Sequence, residues 1–235
     1  MDSQPDGRRI KIRGLNVHYQ CLGKGPGVIL LHGGGSDWHE WQRNIHFFSQ
    51  NFNVYIPDLP GFGLSDTPKV PVTPRWYSTL LNDFIKQLGI THAHIIGHSL
   101  GGTITLSFAL EHPEMVNKAV IVDSGGLGQM DWKGRLTLFI VRGLERIIGR
   151  RKNPKCQFGG TKEDWLFIND LPKLGQPVEI IWGRWDPYLP VSQAKLAQGL
   201  IPNCRLHVFP NCGHAPQRCR PDKFNDVVYR FLIER

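Results

Sequence analysis

Gly97-His98-Ser99-Leu100-Gly101-Gly102 sets a hydroxyl side chain between glycines two residues to either side, after the apolar stretch His94-Ile95-Ile96 and before a helical stretch from Thr103 to His112. In a strand, tight turn and helix this Gly-x-Ser-x-Gly pattern makes Ser99 a nucleophile candidate. The strained turn lifts the hydroxyl above the sheet, and the glycines remove side chains that would collide with the neighbouring strand and helix. The helix N-terminus beneath it adds partial positive charge and free N–H groups.

A serine hydroxyl is a poor nucleophile at neutral pH and needs a base within hydrogen-bonding reach. Ten histidines compete for that role. His92 and His94 flank a strand, His112 ends a helix and His207 lies within a strand, so His214 and His32 remain as loop residues at the carboxyl edge of a sheet. His214, in Asn211-Cys212-Gly213-His214-Ala215-Pro216, follows the last strand and is the expected general base. Its imidazole needs a carboxylate to fix the tautomer and stabilise the imidazolium. Asp186 follows the strand Val178 to Trp182 and is the expected partner, with Asp123 as runner-up. The order Ser, Asp, His fits this arrangement. Acyl transfer also needs donors aimed at a developing oxyanion. The expected donors are the backbone N–H of Leu100 and that of Gly34 in the loop His32-Gly33-Gly34-Gly35. No metal or organic cofactor is called for.

To bring these loops together the chain must alternate strands and helices. Arg8 to Ile12 and Leu15 to Cys21 read as an opening hairpin, and Gly27 to Leu31 as a buried strand. A helix is expected from Glu40 to Gln50 and a strand from Val54 to Ile56. Thr73-Pro74 supplies a cap and a first-turn proline for a helix running to about Gly89, and Val116 to Val122 is strand again. Strand and helix resume with Val178 to Trp182, Val191 to Leu200, Arg205 to Phe209 and Asp222 to Leu232. The alternation implies a mostly parallel central sheet covered by helices on both faces, an α/β fold. It breaks between Gly126 and Gln176, where Leu136, Phe139, Ile140, Leu144, Ile147 and Ile148 recur at helical spacing. Residues 126–176 are therefore expected to be a short helical lid inserted into a core of residues 1–125 and 177–235. Its apolar positions, with Trp132, Phe139 and Trp165, favour an acyl or aromatic substrate over a sugar or nucleotide.

A chain of 235 residues, 40% hydrophobic and 20% charged, is long enough for one large core. Its five cysteines form no Cys-x-x-Cys pair and are odd in number, so free thiols in a reducing compartment are expected. Cys212, close to His214, lacks the strand-to-helix turn of a nucleophile and reads as structural. The N-terminal stretch is polar, and no run approaches the roughly 18 apolar residues of a spanning helix, which makes a cytoplasmic location the expectation. The formal charge is +8, and Lys133 to Lys155 holds eight basic residues against the single acid Glu145. Among them Arg135, Arg142, Arg146, Arg150 and Arg151 are candidate partner-binding residues. Nucleic acid is not expected, since no matching fold or aromatic interleaving accompanies the charge.

These motifs, in this order, resemble the α/β-hydrolase family across nearly the whole chain, from Gly27-Val28-Ile29-Leu30-Leu31-His32-Gly33-Gly34-Gly35 to the last helix. Pro57-Asp58-Leu59-Pro60-Gly61-Phe62-Gly63-Leu64-Ser65-Asp66 resembles the family's turn after its fourth core strand, where Asp58, Ser65 and Asp66 shape a loop. The resemblance implies a serine esterase working through an acyl-enzyme. Dehalogenases and epoxide hydrolases of the fold carry aspartate where this chain has Ser99. Carbon–carbon bond hydrolases of aromatic degradation are similar through Gly183-Arg184-x-Asp186 but usually carry tryptophan directly after the histidine, where this chain has Ala215. Gly213-His214-Ala215-Pro216 resembles simple carboxylesterases, including those that demethylate a pimeloyl-carrier-protein ester. An acidic carrier protein would suit the basic lid. Two further readings are a slow-turnover ligand receptor on the same fold and a protein that docks its cationic lid helix on a membrane surface.

Overall fold

The computed structural model describes residues 7–129, 132–147 and 156–234. Its centre is an eight-stranded sheet in the order β1-β2-β4-β3-β5-β6-β7-β8. The strands are β1 (Arg8–Ile12), β2 (Leu15–Leu22), β3 (Gly27–Leu31), β4 (Asn53–Pro57), β5 (Ala93–His98), β6 (Val116–Val122), β7 (Val178–Gly183) and β8 (Cys204–Phe209). β1 pairs with β2 and β2 with β4 antiparallel, and every other pairing is parallel. The carboxyl ends of β3, β5, β6, β7 and β8 therefore share one edge, the rim on which every expected catalytic residue falls.

The central strands read as continuous apolar runs because both faces are covered. Successive side chains point to opposite faces. Ile29, Leu31, Ile95, Ile121 and Ile180 enter one core with Phe84 and Phe108. Val28, Leu30, Ile96, Val120 and Ile181 enter the other with Trp41, Phe48 and Phe224. The helices are α1 (Ile45–Phe48), α2 (Pro74–Gln87), α3 (Leu100–Glu111), α4 (Trp132–Ile147), α5 (Val191–Leu200), α6 (Pro216–Cys219) and α7 (Pro221–Ile233). No helix among the described residues is long and apolar enough to cross a membrane.

α2 starts as its sequence dictates: Thr73 Oγ1 accepts from Trp76 N at 3.1 Å, and Pro74 occupies the first turn. Thr73→Ala is expected to lower stability by about 1 kcal/mol, read as a shift in urea midpoint, with turnover unchanged.

The helix expected from Glu40 to Gln50 is instead a 3-10 turn, Trp38–Trp41, followed by the single turn α1. Tertiary bonds overrule helical propensity here. Trp38 N is taken by Asp58 Oδ1 at 2.8 Å, and the Asn44 amide donates to Asn225 Oδ1 at 2.8 Å. Between β6 and β7 the chain leaves the sheet and forms α4 and two 3-10 turns. Trp132 and Phe139 on α4 are 70% and 77% exposed, and Leu136 and Ile140 are each half exposed. These four apolar positions are largely open to solvent.

Candidate active site

Ser99 stands between β5 and α3 with φ 52° and ψ −109°, a left-handed conformation that a side chain adopts only under constraint. The constraint is crowding: a Cβ on Gly97 would collide with the Gly101 carbonyl, and one on Gly101 with the Leu31 carbonyl. Strand and helix thus meet too closely for any side chain but glycine, and the serine between them is pushed out over the rim.

His214 reaches the same point from the loop after β8. Its Nε2 lies 3.1 Å from Ser99 Oγ, and its Nδ1 lies 2.7 Å from Asp186 Oδ2. Asp186 Oδ1 accepts from the backbone N–H groups of Tyr188 and Leu189 at 2.8 and 3.1 Å, so the carboxylate is fixed before it meets the imidazole. With Nδ1–H given to Asp186, Nε2 is left bare and accepts the serine proton. Burial holds His214 below the ordinary histidine range, and its hydrogen bond to Asp186 opposes this without cancelling it. A base with a depressed pKa stays neutral to lower pH. The acid limb of kcat/KM is therefore expected below the usual histidine value of about 6.5, with activity retained at mildly acidic pH.

The loop after β3 packs against the nucleophile. A Cβ on Gly34 would lie 3.7 Å from Leu100 Cδ2, and one on Gly33 would lie 3.3 Å from Ser99 Cβ. This sets Gly34 against the Leu100 side chain and Gly33 against Ser99. His32, the rival base, is fully buried: its Nδ1 is bonded to the Gly33 carbonyl at 2.8 Å, and its Nε2 accepts from Leu59 N at 2.9 Å. It shapes the loop. Asp58 and Ser65 do likewise, Asp58 bonding His18 Nδ1 and Leu64 N, and Ser65 donating to the Asp58 carbonyl.

Asp123, the runner-up carboxylate, is buried with φ 39° and accepts from Gly183 N at 2.9 Å. Donor atoms of Asp123, Asp186 and His214 lie within 4.8 Å of one another. That is a metal-sized cluster, but Asp186 already spends its oxygens on three N–H donors. Burial, reinforced by the Asp186 charge, raises Asp123 well above the usual carboxylate range, which favours its neutral form. Cys212 is buried, and the five cysteines are free.

Two residues escaped the sequence reading. Glu40 and His98 are buried beside the triad and bonded to each other at 2.8 Å. His98 directly precedes the nucleophile in the motif, a signal that was available; Glu40 offered none. Of the expected partner-binding residues, Arg135 is exposed on α4. The side chains of Arg142 and Arg146, and all of Arg150 and Arg151, lie outside the described residues.

Residues 26–146 match the family model described as alpha/beta hydrolase fold, and the chain belongs to that family. Among its relatives, the 2-hydroxy-6-oxo-6-phenylhexa-2,4-dienoate hydrolase of Burkholderia cepacia is 30% identical over 93% of this chain and 91% of that protein. The carboxylesterase CesB of Bacillus subtilis shares the fold with a TM-score of 0.88 at 22% identity, covering 99% of this chain and 93% of that one. The naproxen esterase of Bacillus subtilis has a TM-score of 0.84 at 25% identity, covering 97% and 91%. The chain is a hydrolase by family, and its relatives include both ester and carbon–carbon bond hydrolases.

Proposed function

We propose that the chain is a serine hydrolase that cleaves a carboxylic ester through an acyl-enzyme on Ser99. The observation that carries this reading is the unbroken hydrogen-bond chain from Ser99 Oγ through His214 to Asp186, at 3.1 and 2.7 Å. Ser99 Oγ attacks the ester carbonyl as His214 Nε2 takes its proton. The oxyanion is held by the N–H groups of Leu100 and Gly34, and the positive end of α3 lies beneath it. The protonated His214 then gives its proton to the departing alkoxide, which leaves as the alcohol. Water, deprotonated by the same imidazole, attacks the acyl-enzyme, and His214 returns that proton to Ser99 Oγ as the carboxylic acid departs.

Ala215 after His214, and the resemblance of that loop to carboxylesterases, favour an ester. The carbon–carbon reading draws on the dienoate hydrolase relative. The test is turnover of p-nitrophenyl esters of increasing acyl length beside 2-hydroxy-6-oxo-6-phenylhexa-2,4-dienoate. Multiple turnovers on the esters and none on the dienoate support the ester reading, and the reverse supports the other. A single slow turnover on both would make the chain a receptor.

The preferred substrate in this proposal is an ester carried on an acidic carrier protein, such as a pimeloyl methyl ester. Support comes from the eight basic residues against one acid between Lys133 and Lys155. Steering by such a patch raises the association rate and is screened by salt. The carrier-bound ester is expected to show a kcat/KM at least about tenfold above that of the same acyl methyl ester free of carrier, falling toward it by 0.5 M salt. Equal values at low salt would exclude the carrier.

A further inference from the structure

A buried chain of hydrogen bonds runs behind the triad, and none of the steps above uses it. Glu40 and His98 are each 5% exposed. Glu40 Oε1 accepts from His98 Nδ1 at 2.8 Å, from Gly33 N at 3.2 Å and from Gln217 Nε2 at 3.4 Å. On its other side, His98 Nε2 lies 2.5 Å from the carbonyl oxygen of His214.

The two partners of the His98 ring decide its protonation. An ionised carboxylate and a backbone carbonyl are acceptors only, and a neutral imidazole has a single N–H to give. Both bonds exist together only if both ring nitrogens carry protons. Glu40 and His98 are then a buried ion pair, each compensating the charge of the other. The electrostatics agree. Burial alone would raise Glu40, but the charge and hydrogen bond of His98 bring it down to about 2. Burial alone would lower His98, and Glu40 nevertheless holds it above the ordinary histidine value.

The pair meets three of the four segments that converge at the site, all but the loop bearing Asp186. Through Gly33 it holds the loop bearing Gly34. Through the backbone of His98 it adjoins Ser99, and through the His214 carbonyl it holds the loop of the general base. The Gly33 loop packs so closely that a Cβ there would stand 2.9 Å from His98 Nδ1. The rings of His98 and His214 lie 4.9 Å apart between centroids.

We propose that His98 is a protonated positioning residue that, together with Glu40, clamps the general-base loop and the Gly33–Gly34 loop onto the nucleophile turn and sets the basicity of His214 by its charge. The proposal rests on the serine-hydrolase reading. The charged and titratable groups around His98 are Glu40, His214 and Asp186, with His32 facing Glu40. The His98 charge holds His214 down, whereas Glu40 and Asp186 push it up. Replacing His98 by a neutral side chain leaves Glu40 unbalanced, so the pKa of His214 rises and the acid limb of the pH profile moves to higher pH. In Glu40→Gln the amide donates to Nδ1 of a neutral His98, whose Nε2–H still reaches the His214 carbonyl. The bond from Gln217 is given up and the Gly33 N–H turns to the remaining amide oxygen, where Glu40 Oε2 stands 3.3 Å away, so both charges are lost while the bond to the general-base loop is kept.

The test has two parts, on the full-length protein. The first is nitrogen-15 NMR of the histidine side chains in wild type at pH 7, with His98 assigned by its loss in His98→Gln. Both nitrogens protonated is the expected result, and a neutral tautomer overturns the proposal without any need for the variant to be active. The second is kinetics on a p-nitrophenyl ester with thermal melts alongside. His98→Gln is expected to lower kcat about 100-fold with KM nearly unchanged, and to shift the acid limb upward. Glu40→Gln should stay within about tenfold of wild type, with a smaller upward shift than His98→Gln. If His98→Gln melts like wild type and keeps its kcat and acid limb, the positioning role is wrong while the hydrolase reading stands. If wild type itself turns over no ester, the serine-esterase reading falls, and the positioning role in ester cleavage falls with it.

Discussion

Ser99→Ala is expected to reduce ester turnover by at least about 10⁴-fold while leaving the melting temperature close to that of wild type. The loss is large because no neighbour can replace the hydroxyl. The Ser99 side chain is the group bonded to His214 Nε2, and buried Cys212 does not take part in that bond. Folding should be spared, since the side chain contributes one rim hydrogen bond and the crowded turn around Gly97 and Gly101 is unchanged. Residual rate above water would come from the Leu100 and Gly34 amides, which the substitution leaves in place. A steady-state assay with a circular dichroism melt checks both halves.

The second large effect separates the two carboxylates. Asp186→Asn is expected to cost about 10⁴-fold in kcat, because an amide facing Nδ1 can donate to it and trap His214 in the tautomer whose Nε2 carries the proton. Asp123→Asn is expected to cost less than about tenfold. Burial and the Asp186 charge push Asp123 toward its neutral form, and asparagine reproduces the shape of a protonated carboxyl while still accepting from Gly183 N. Equal losses in both variants would mean that the pair acts as one acid.

Much of the site was legible because its parts are local. The elbow needs small residues at fixed offsets from Ser99, and the apolar strands before Ser99, Asp186 and His214 fix which edge their loops occupy. Parallel topology then brings residues far apart in sequence to one rim, as the 3.1 Å contact across 115 positions shows. What was not legible depends on long-range partners. Glu40 lay inside a stretch that resembled a helix, and only the bonds of Trp38 to Asp58 and Asn44 to Asn225 break that helix and turn Glu40 inward. His98 looked like a spacer within a motif until Glu40 and the His214 carbonyl were seen on either side of it. The helical spacing from Leu136 onward coincides with α4, whereas Ile148 lies outside the described residues; periodicity does not say what an apolar stripe faces, and here Trp132 and Phe139 face solvent.

The central claim is that the Ser99 hydroxyl is an activated nucleophile. Treatment with a fluorophosphonate followed by peptide mass mapping tests it most directly. One adduct is expected, on the peptide containing Ser99, forming rapidly in wild type and slowly in His214→Ala. An adduct elsewhere, or none at a reagent concentration that labels a known serine esterase, would contradict it.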